Sequence, residues 1–136
     1  MGVDTLIVGP LPTPGVAFIT RAYRADTGIV ISASHNPYYD NGIKFFNSDG
    51  FKLSDSLEHE IETIIATKEY LHHLPLDEEI GSNTKVIDAD GRYIEFVKAT
   101  FPKHLSLKNL KIVLDCRFFM ALKDLETALI LNPIKI

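Results

Sequence analysis

Apolar residues in the first third of the chain occur first as a short run, then at helical spacing, then as a second run. The run from Thr5 to Val8 is typical of a strand covered on both faces in a parallel sheet, with its partner strand later in the chain. Thr13 is suited to cap a following helix with Pro14 in its first turn, and Gly28 to end it at a positive φ. A second buried strand is predicted over residues 28–32, which makes a right-handed βαβ unit. The predicted buried face of the helix comprises Val16, Ile19, Thr20 and Tyr23.

Polar side chains follow the second predicted strand at its carboxyl end. Ser34, His35 and Asn36 precede Pro37, which disfavours helical geometry at Asn36 and so keeps the segment a loop. The carboxyl ends of strands in open α/β sheets commonly bind ligands. The loop is therefore the candidate functional site.

A β-hairpin is predicted directly after this loop. The turn dipeptides Asn41-Gly42 and Asp49-Gly50 enclose the apolar run 43–46. Alternation places Lys44 on the face opposite Ile43 and Phe45. A lysine on a strand beside a serine-bearing loop is a cation that can reach an anionic group held there.

The remainder of the chain predicts a helix, a connection and the start of a second domain. Ser54 or Asp55 is expected to begin a helix that covers the sheet with Leu57, Ile61, Ile64 and Ile65. Periodicity is lost over residues 71–86, where Pro, Gly, Ser and Asn accumulate, so we interpret them as a linker between a first domain, 1–70, and a second, 87–116. The helical face expected in the second domain comprises Tyr93, Phe96, Val97 and Phe101.

Composition and charge narrow the class of function. The 136 residues, 46% hydrophobic and 24% charged, suit about one globular domain. A net charge of −4 without a basic run argues against nucleic acid or anionic lipid as a partner, and no apolar segment approaches the roughly 20 residues of a membrane span. With a single cysteine, Cys116, there is no internal disulfide, and no secretory signal follows Met1, so a cytoplasmic location is expected.

The segment ISASHNPYYDNGIKFF closely resembles the phosphoserine loop of the α-D-phosphohexomutases. The longer stretch that starts at Gly9 and ends at Leu53 looks most like the branch of this family that acts on glucosamine phosphates, and the resemblance extends from residue 2 to about residue 116. It implies an α/β fold with a mixed, mostly parallel sheet, flanking helices and a β-hairpin: an incomplete first domain followed by the beginning of a second α/β domain.

The resemblance also implies roles for individual residues. Ser34 matches the residue that carries the transferable phosphoryl group and, once phosphorylated, gives an oxygen ligand to Mg²⁺. His35 matches the neighbouring active-site histidine and Lys44 the lysine near the transferring phosphoryl group. The implied reaction converts glucosamine 6-phosphate to glucosamine 1-phosphate through a bisphosphorylated sugar. Loop-shaping roles fall to Asn36, Pro37, Asn41 and Gly42.

Physical chemistry is consistent with these roles, because a phosphoserine carries about −1.5 to −2 charges and needs cations nearby before a hydroxyl can attack it. The sequence nevertheless departs from the family pattern. The aspartate-rich loop D-G-D-x-D-R that supplies the metal carboxylates does not occur, and Asp40, Asp49, Asp88 and Asp90 do not fit its spacing. The family's N-terminal strand with its arginine is missing, and the likeness stops after Cys116. We therefore hypothesise a frameshifted or truncated gene product with a non-family tail over 117–136.

Two functional hypotheses from different classes follow. In the first, the chain supplies the phosphoserine part of a hexosamine phosphate mutase and acts only with a complementing mutase fragment. In the second, it is a non-catalytic remnant or interaction module that retains a phosphate- or metal-binding loop. An unpaired sheet edge and an unclosed second core also predict self-association. His59, His72, His73 and His104 have no ligand-like spacing and are interpreted as solvated.

Overall fold

The computed structural model describes residues 2–33, 37, 39–108 and 110–111. Four strands and three α-helices occur in these residues, with two short 3₁₀ segments between the second helix and the last strand. In chain order they are β1 (Thr5–Ile7), α1 (Thr13–Ala22), β2 (Thr27–Ser32), β3 (Gly42–Asn47), α2 (Asp55–Thr67), the 3₁₀ segments Glu69–His73 and Asp77–Glu79, β4 (Asn83–Lys85) and α3 (Ala89–Thr100). The predicted α/β class is confirmed.

The strands form two separate pairs. β1 pairs in parallel with β4, with Leu6 opposite Thr84, and β2 pairs antiparallel with β3. The expected βαβ unit therefore does not lie in one sheet, because β1 pairs with β4 and not with the expected strand β2. All three residues of β1 are exposed, so the prediction of a strand covered on both faces is wrong. The reason is that α1 packs against β2 and β3 and makes no contact with β1.

The core lies between α1 and the β2–β3 hairpin. The predicted face of α1 is confirmed, because Val16, Ile19 and Thr20 are buried and Tyr23 is half-buried at the end of the helix. Apolar side chains from both elements complete this core, and Ala89 at the start of α3 joins it. The buried apolar cluster comprises Leu11, Val16, Ile19, Val30, Phe46 and Ala89.

Both predicted ends of α1 need correction. Pro12 occupies the N-cap position, where its carbonyl accepts hydrogen bonds from the N–H groups of Gly15 at 2.7 Å and Val16 at 3.2 Å, and Thr13 is the first helical residue. After the helix, Arg24 takes the left-handed conformation at φ 54°. Gly28 does not end the helix, because it lies buried in β2.

The hairpin differs from the predicted one in its partner strand. β3 pairs along its whole length with β2, from Thr27 opposite Asn47 to Ser32 opposite Gly42. The predicted return arm is reduced to one bridge between Phe46 and Lys52. The Asn47 side chain accepts hydrogen bonds from the N–H groups of Asp49 and Phe51, at 3.1 and 2.9 Å, and so closes the turn.

Helix α2 begins as predicted but packs differently. Ser54 is its N-cap and accepts a hydrogen bond from the N–H of Leu57 at 3.4 Å. No residue of α2 is buried, and its contacts with other elements are confined to the neighbouring 3₁₀ segment, within the described residues. The expectation that α2 covers the sheet is therefore wrong. No helix in the described ranges is long and apolar enough to cross a membrane.

The segment interpreted as a linker, residues 71–86, contains the end of the first 3₁₀ segment, the whole of the second and strand β4. β4 pairs with β1 and so joins this segment to the start of the chain. Helix α3 packs against α1 through aromatic side chains: the rings of Phe18 and Phe96 stack at 4.2 Å, and Tyr93 lies 6.1 Å from Phe18. The division into domains at residues 71–86 and the tail from 117 stay predictions.

Candidate functional site

The candidate site begins where β2 leaves its hairpin. Gly28 and Val30 are buried on the face toward α1, whereas Ile29 and Ile31 lie on the opposite face. This alternation continues to half-buried Ser32, the last residue of the strand. Ser34, His35 and Asn36 follow within four residues of Ser32 in sequence, but they lie outside the described residues.

The chain returns to the hairpin through a short turn. The carbonyl of Pro37 accepts a hydrogen bond from the N–H of Asp40 at 2.9 Å, and both Pro37 and Asn41 are exposed. Gly42 then pairs with Ser32 as the first residue of β3. The pairing of Ser32 with Gly42 thus closes the base of the candidate loop, residues 33–41.

Lys44 lies on the predicted face of β3. It is half-buried and pairs with Val30, and it shares its side of the strand with buried Phe46 rather than with Ile43. Within the described ranges, Lys44 makes no ion pair with a carboxylate. In this part of the chain, therefore, no carboxylate side chain neutralises the charge of the Lys44 ammonium group.

Three titratable groups with shifted pKa values, Tyr23, Asp88 and Arg92, lie together away from the loop, at the junction of α1 and α3. Asp88 accepts hydrogen bonds from Arg92 Nε at 2.7 Å and from the Tyr23 hydroxyl at 3.0 Å, and the guanidinium lies 5.2 Å from the centre of the Tyr23 ring. The hydrogen bond from Arg92, followed by that from Tyr23, lowers the pKa of Asp88. Desolvation, followed by the bond to Asp88, raises the pKa of Tyr23.

Sequence reasoning missed this cluster. Its one local signal is the i, i+4 spacing of Asp88 and Arg92 at the start of a helix; the contact with Tyr23 arises only from the packing of α3 on α1. The cluster borders an open groove of about 720 Å³ with a mainly apolar lining that includes Phe18, Ala22, Ile94 and Phe96.

A magnesium site is not assembled by the described residues. They contain no group of three or more His, Cys, Asp or Glu side chains placed to hold a metal. The residues that the aspartate motif would have needed are scattered: Asp49 lies in the turn after β3, and Asp88 is engaged by Arg92 and Tyr23.

The fold and the loop motif together define a class of protein. The sequence pattern described as "Phosphoglucomutase/phosphomannomutase, alpha/beta/alpha domain I" matches residues 1–72, more than half of the chain. The chain belongs to this family, and the resemblance drawn from the loop is confirmed.

Relatives narrow the comparison to one branch. The chain is 78% identical over 116 residues to the phosphoglucosamine mutase of Protochlamydia amoebophila (strain UWE25), a match that covers 85% of this chain and 25% of that protein. It is 63% identical over 123 residues to the phosphoglucosamine mutase of Chlamydia felis (strain Fe/C-56), which covers 90% of this chain and 27% of the relative. The phosphoglucosamine mutase of Chlamydia pneumoniae is 66% identical over 116 residues, 85% of this chain and 25% of the relative. The chain thus spans about a quarter of the length of these relatives.

Proposed function

We propose that this chain is the phosphoserine-bearing part of a phosphoglucosamine mutase that acts in the cytoplasm. The observation that carries the proposal is the pairing of Ser32 with Gly42, which closes the base of the loop that contains Ser34 and starts the strand that bears Lys44. The 78% identity to a phosphoglucosamine mutase over most of the chain supports the same branch.

In the proposed reaction, Ser34 carries a phosphoryl group and donates it to the C1 hydroxyl of glucosamine 6-phosphate. The bond between phosphorus and the Ser34 oxygen breaks while a bond to the sugar oxygen forms; the hydroxyl proton is released, and the Ser34 oxygen takes up a proton. The bisphosphorylated sugar then returns its other phosphoryl group to Ser34 with the reverse proton movements, which leaves glucosamine 1-phosphate and restores the phosphoserine. No phosphoryl group is gained or lost in the cycle.

Charge accounts for the proposed role of Lys44. A phosphoserine brings about −1.5 to −2 charges, so a fixed cation beside it stabilises both the phosphorylated state and the transferring group. The absence of an ion pair at Lys44 within the described ranges leaves its charge available for such a group. His35 is proposed as a neighbouring polar group, and Asn36, Pro37, Asn41 and Gly42 as residues that shape the loop.

Mg²⁺ enters the proposal only as far as the chain supports it. When bound, the ion would neutralise charge on the phosphoryl group, and a phosphorylated Ser34 would offer it an oxygen ligand. The described residues hold no group of three or more metal-ligating side chains, so further ligands would come from residues outside the described ranges or from other mutase sequence.

The test uses a chimera in which this chain's residues replace the matching region of the Protochlamydia relative. We expect the chimera to form glucosamine 1-phosphate and to carry a phosphoryl group, detected by intact-mass measurement after incubation with a bisphosphorylated hexosamine and Mg²⁺. Ser34→Ala should abolish both signals. Lys44→Met should lower turnover by at least about tenfold, consistent with loss of a charge that stabilises the transition state.

Lys52→Met is the matched control, because Lys52 is an exposed lysine that pairs with Asp55 and Glu58. It should retain turnover. Turnover by the Ser34→Ala chimera would contradict the proposal, and so would equal effects of the two lysine substitutions.

A second candidate is the non-catalytic module. The observation that favours it is that the described residues bring together no group of three or more metal-ligating side chains. Phosphate binding by the chain alone, combined with a folded chimera that never turns over, would favour this candidate.

A further inference from the structure

Asn41 is the only asparagine of the sequence that is followed by glycine. It is exposed and lies directly before β3, of which Gly42 is the first residue. The main-chain nitrogen after an asparagine can attack the carbonyl carbon of the asparagine side chain. This attack is easiest where the following residue has no Cβ atom to restrict the backbone. By this criterion, Asn41 is the most reactive asparagine of the chain.

We propose that Asn41 is a site of spontaneous deamidation, which places an aspartate or isoaspartate at the base of the candidate loop. The nitrogen of Gly42 forms a bond to Cγ of Asn41 and loses its proton, while the bond from Cγ to Nδ2 breaks and the amide nitrogen leaves with that proton as ammonia. Water then opens the cyclic imide. Addition of water at Cγ yields aspartate, whereas addition at the main-chain carbonyl carbon yields isoaspartate, whose backbone runs through the former side chain.

The end of the β2–β3 ladder can open for this attack at little cost. Ser32 and Gly42 are its last pair, and the next pair, Ile31 and Ile43, is 68% and 60% exposed. The first buried side chain along β2 from this end is that of Val30, at 8% exposure. Separation of the last two pairs therefore exposes little additional apolar surface, and such fraying of a strand end has a low free energy.

Two other asparagines of the described chain are held more firmly. The side-chain oxygen of Asn47 accepts hydrogen bonds from two N–H groups of its own turn, at 3.1 and 2.9 Å. Asn83 lies within β4, and its side-chain oxygen accepts a hydrogen bond from the hydroxyl of Thr5. The residues that follow them are serine and threonine, which both carry a Cβ atom. Both asparagines should therefore deamidate much more slowly than Asn41.

Either product changes the base of the loop. Isoaspartate adds a methylene group to the main chain next to the last pair of the ladder, and both products carry a carboxylate in place of a neutral amide. This carboxylate lies three residues before Lys44 in the sequence. Under the proposed function, on which this consequence alone rests, the new negative charge opposes a phosphoserine in the same loop by like-charge repulsion. Deamidation then lowers the phosphorylated fraction as the protein ages.

The test is peptide mapping of this chain by mass spectrometry after incubation in a mildly alkaline buffer. We expect the peptide with Asn41 to gain the mass difference between an amide and a carboxylic acid. Its isoaspartate form should accept a methyl group from a protein isoaspartate methyltransferase. Asn47 should stay largely unmodified over the same time, and tryptic cleavage after Lys44 separates the two asparagines.

Gly42→Ala is the variant that tests the chemistry. A Cβ atom on Gly42 would lie 3.7 Å from the main-chain oxygen of Ser32, an ordinary contact, and the φ of Gly42 is not positive, so alanine fits the strand. We expect deamidation of Asn41 to slow at least about fivefold, because the Cβ atom restricts the backbone rotation that ring closure needs. Gly91→Ala, at an open position of α3, is the matched control and should leave the rate at Asn41 unchanged.

Three results would overturn the proposal. The first is no mass gain at Asn41 over a time in which the same chain, unfolded in urea, is fully modified there. The second is equal rates at Asn41 and Asn47 in the folded chain. The third is an unchanged rate at Asn41 in the Gly42→Ala protein.

The effect on phosphorylation is measured separately, on the chimera with the Protochlamydia relative. Ser34 and Asn41 lie on one tryptic peptide between Arg24 and Lys44, so both modifications are detected on the same molecules. After partial ageing and incubation with a bisphosphorylated hexosamine and Mg²⁺, the deamidated peptide should carry less phosphate than the unmodified one. Equal phosphate on both would reject the charge effect. A fresh chimera that takes up no phosphate would reject the proposed function, whereas the deamidation site is decided by the peptide map alone.

Discussion

Gly28 in β2 lies against Thr20 in α1, and this contact sets how closely the helix approaches the strand. Thr20 is only 4% exposed, and its hydroxyl donates a hydrogen bond to the carbonyl of Val16 at 2.8 Å, so its polar atom is satisfied inside the core. A Cβ atom on Gly28 would overlap Oγ1 of Thr20. The glycine is therefore required for packing and not for a turn.

Gly28→Ala is expected to lower the free energy of unfolding by about 1–3 kcal/mol, because the added methyl group overpacks the contact with Thr20. Urea denaturation followed by circular dichroism measures the change. Gly91→Ala is the control: no atom lies within 4 Å of its Cβ position, and alanine in a helix should raise stability by up to about 1 kcal/mol. A Gly28→Ala protein as stable as the unmodified chain would refute the close approach.

Asp4 is a second residue whose effect can be measured, through the pH dependence of stability. Its carboxylate accepts hydrogen bonds from the N–H of Ser82 at 2.8 Å and from the Ser82 hydroxyl at 2.7 Å. The backbone bond, followed by the hydroxyl bond, lowers the pKa of Asp4 below its ordinary value of 3.8. Because folding favours the charged form, the stabilisation is present above pH 3.8 and is lost as pH falls through the lower pKa of the folded state.

We expect Asp4→Asn to lower the urea midpoint at neutral pH. The difference in midpoint from the unmodified chain should shrink as the pH falls below the ordinary pKa of the carboxyl group. Urea titrations over a series of pH values test this. Ser82→Ala removes only the hydroxyl donor and should give a smaller difference of the same sign. A difference independent of pH would show that the carboxylate charge is not involved.

Among the elements, α1 and α2 differ in burial despite similar amphipathic patterns. Four residues of α1 are buried, whereas α2 has none and is held mainly by its Ser54 cap and its adjoining 3₁₀ segment. Helices obtain most of their stability from packing of the apolar face. α2 therefore opens more easily than α1.

Amide hydrogens of α2 should exchange with solvent much faster than those of α1, at a rate set by local opening. Hydrogen exchange followed by mass spectrometry resolves the two helices. Ser54→Ala should speed exchange further in α2 and leave α1 unchanged, because the cap acts on one helix only. Equal protection of both helices would indicate that α2 is covered.

At the scale of the whole molecule, the contact between α1 and α3 connects the two parts of the chain. Phe18 stacks on Phe96 and lies near Tyr93, and the hydroxyl of Tyr23, the residue directly after α1, donates a hydrogen bond to Asp88. Ala89 at the start of α3 is almost fully buried, at 1% exposure. The residues after the predicted linker thus pack onto the first helix.

Phe18→Ala should lower the free energy of unfolding by about 2 kcal/mol, less than for a fully buried phenylalanine because Phe18 is half-buried. The same substitution should raise hydrogen exchange in α3 more than in β2 and β3. Phe51→Ala is the control, since Phe51 is 71% exposed and its loss should change stability little. Unchanged exchange in α3 would show that the aromatic contact does not hold the helix.

Local patterns were sufficient wherever one element and its own residues decided the outcome. The buried face of α1, the Ser54 cap and the alternation that separates Lys44 from Ile43 were all predictable, because helical and strand periods and capping act over a few residues. The family was also readable from the Ser34 loop, since a motif needs no partner elements.

Pairing and coverage could not be predicted in this way. Contacts between residues far apart in sequence decide whether β3 pairs with β2 or folds back on residues 51–53. Such contacts also decide whether α2 covers Ile31. An apolar stripe in the sequence indicates that a face can be buried, but it does not identify the element that buries that face.

By itself, the amino-acid sequence determined the α/β class, the positions of the main helices and the family to which the loop belongs. The tertiary structure alone decided that β1 and β2 lie in separate sheets, that Asp88 joins Tyr23 and Arg92, and that the hairpin keeps one apolar face open. The physical reason is range: backbone propensities and side-chain periods act locally, whereas strand pairing and burial are set by which surfaces meet in three dimensions.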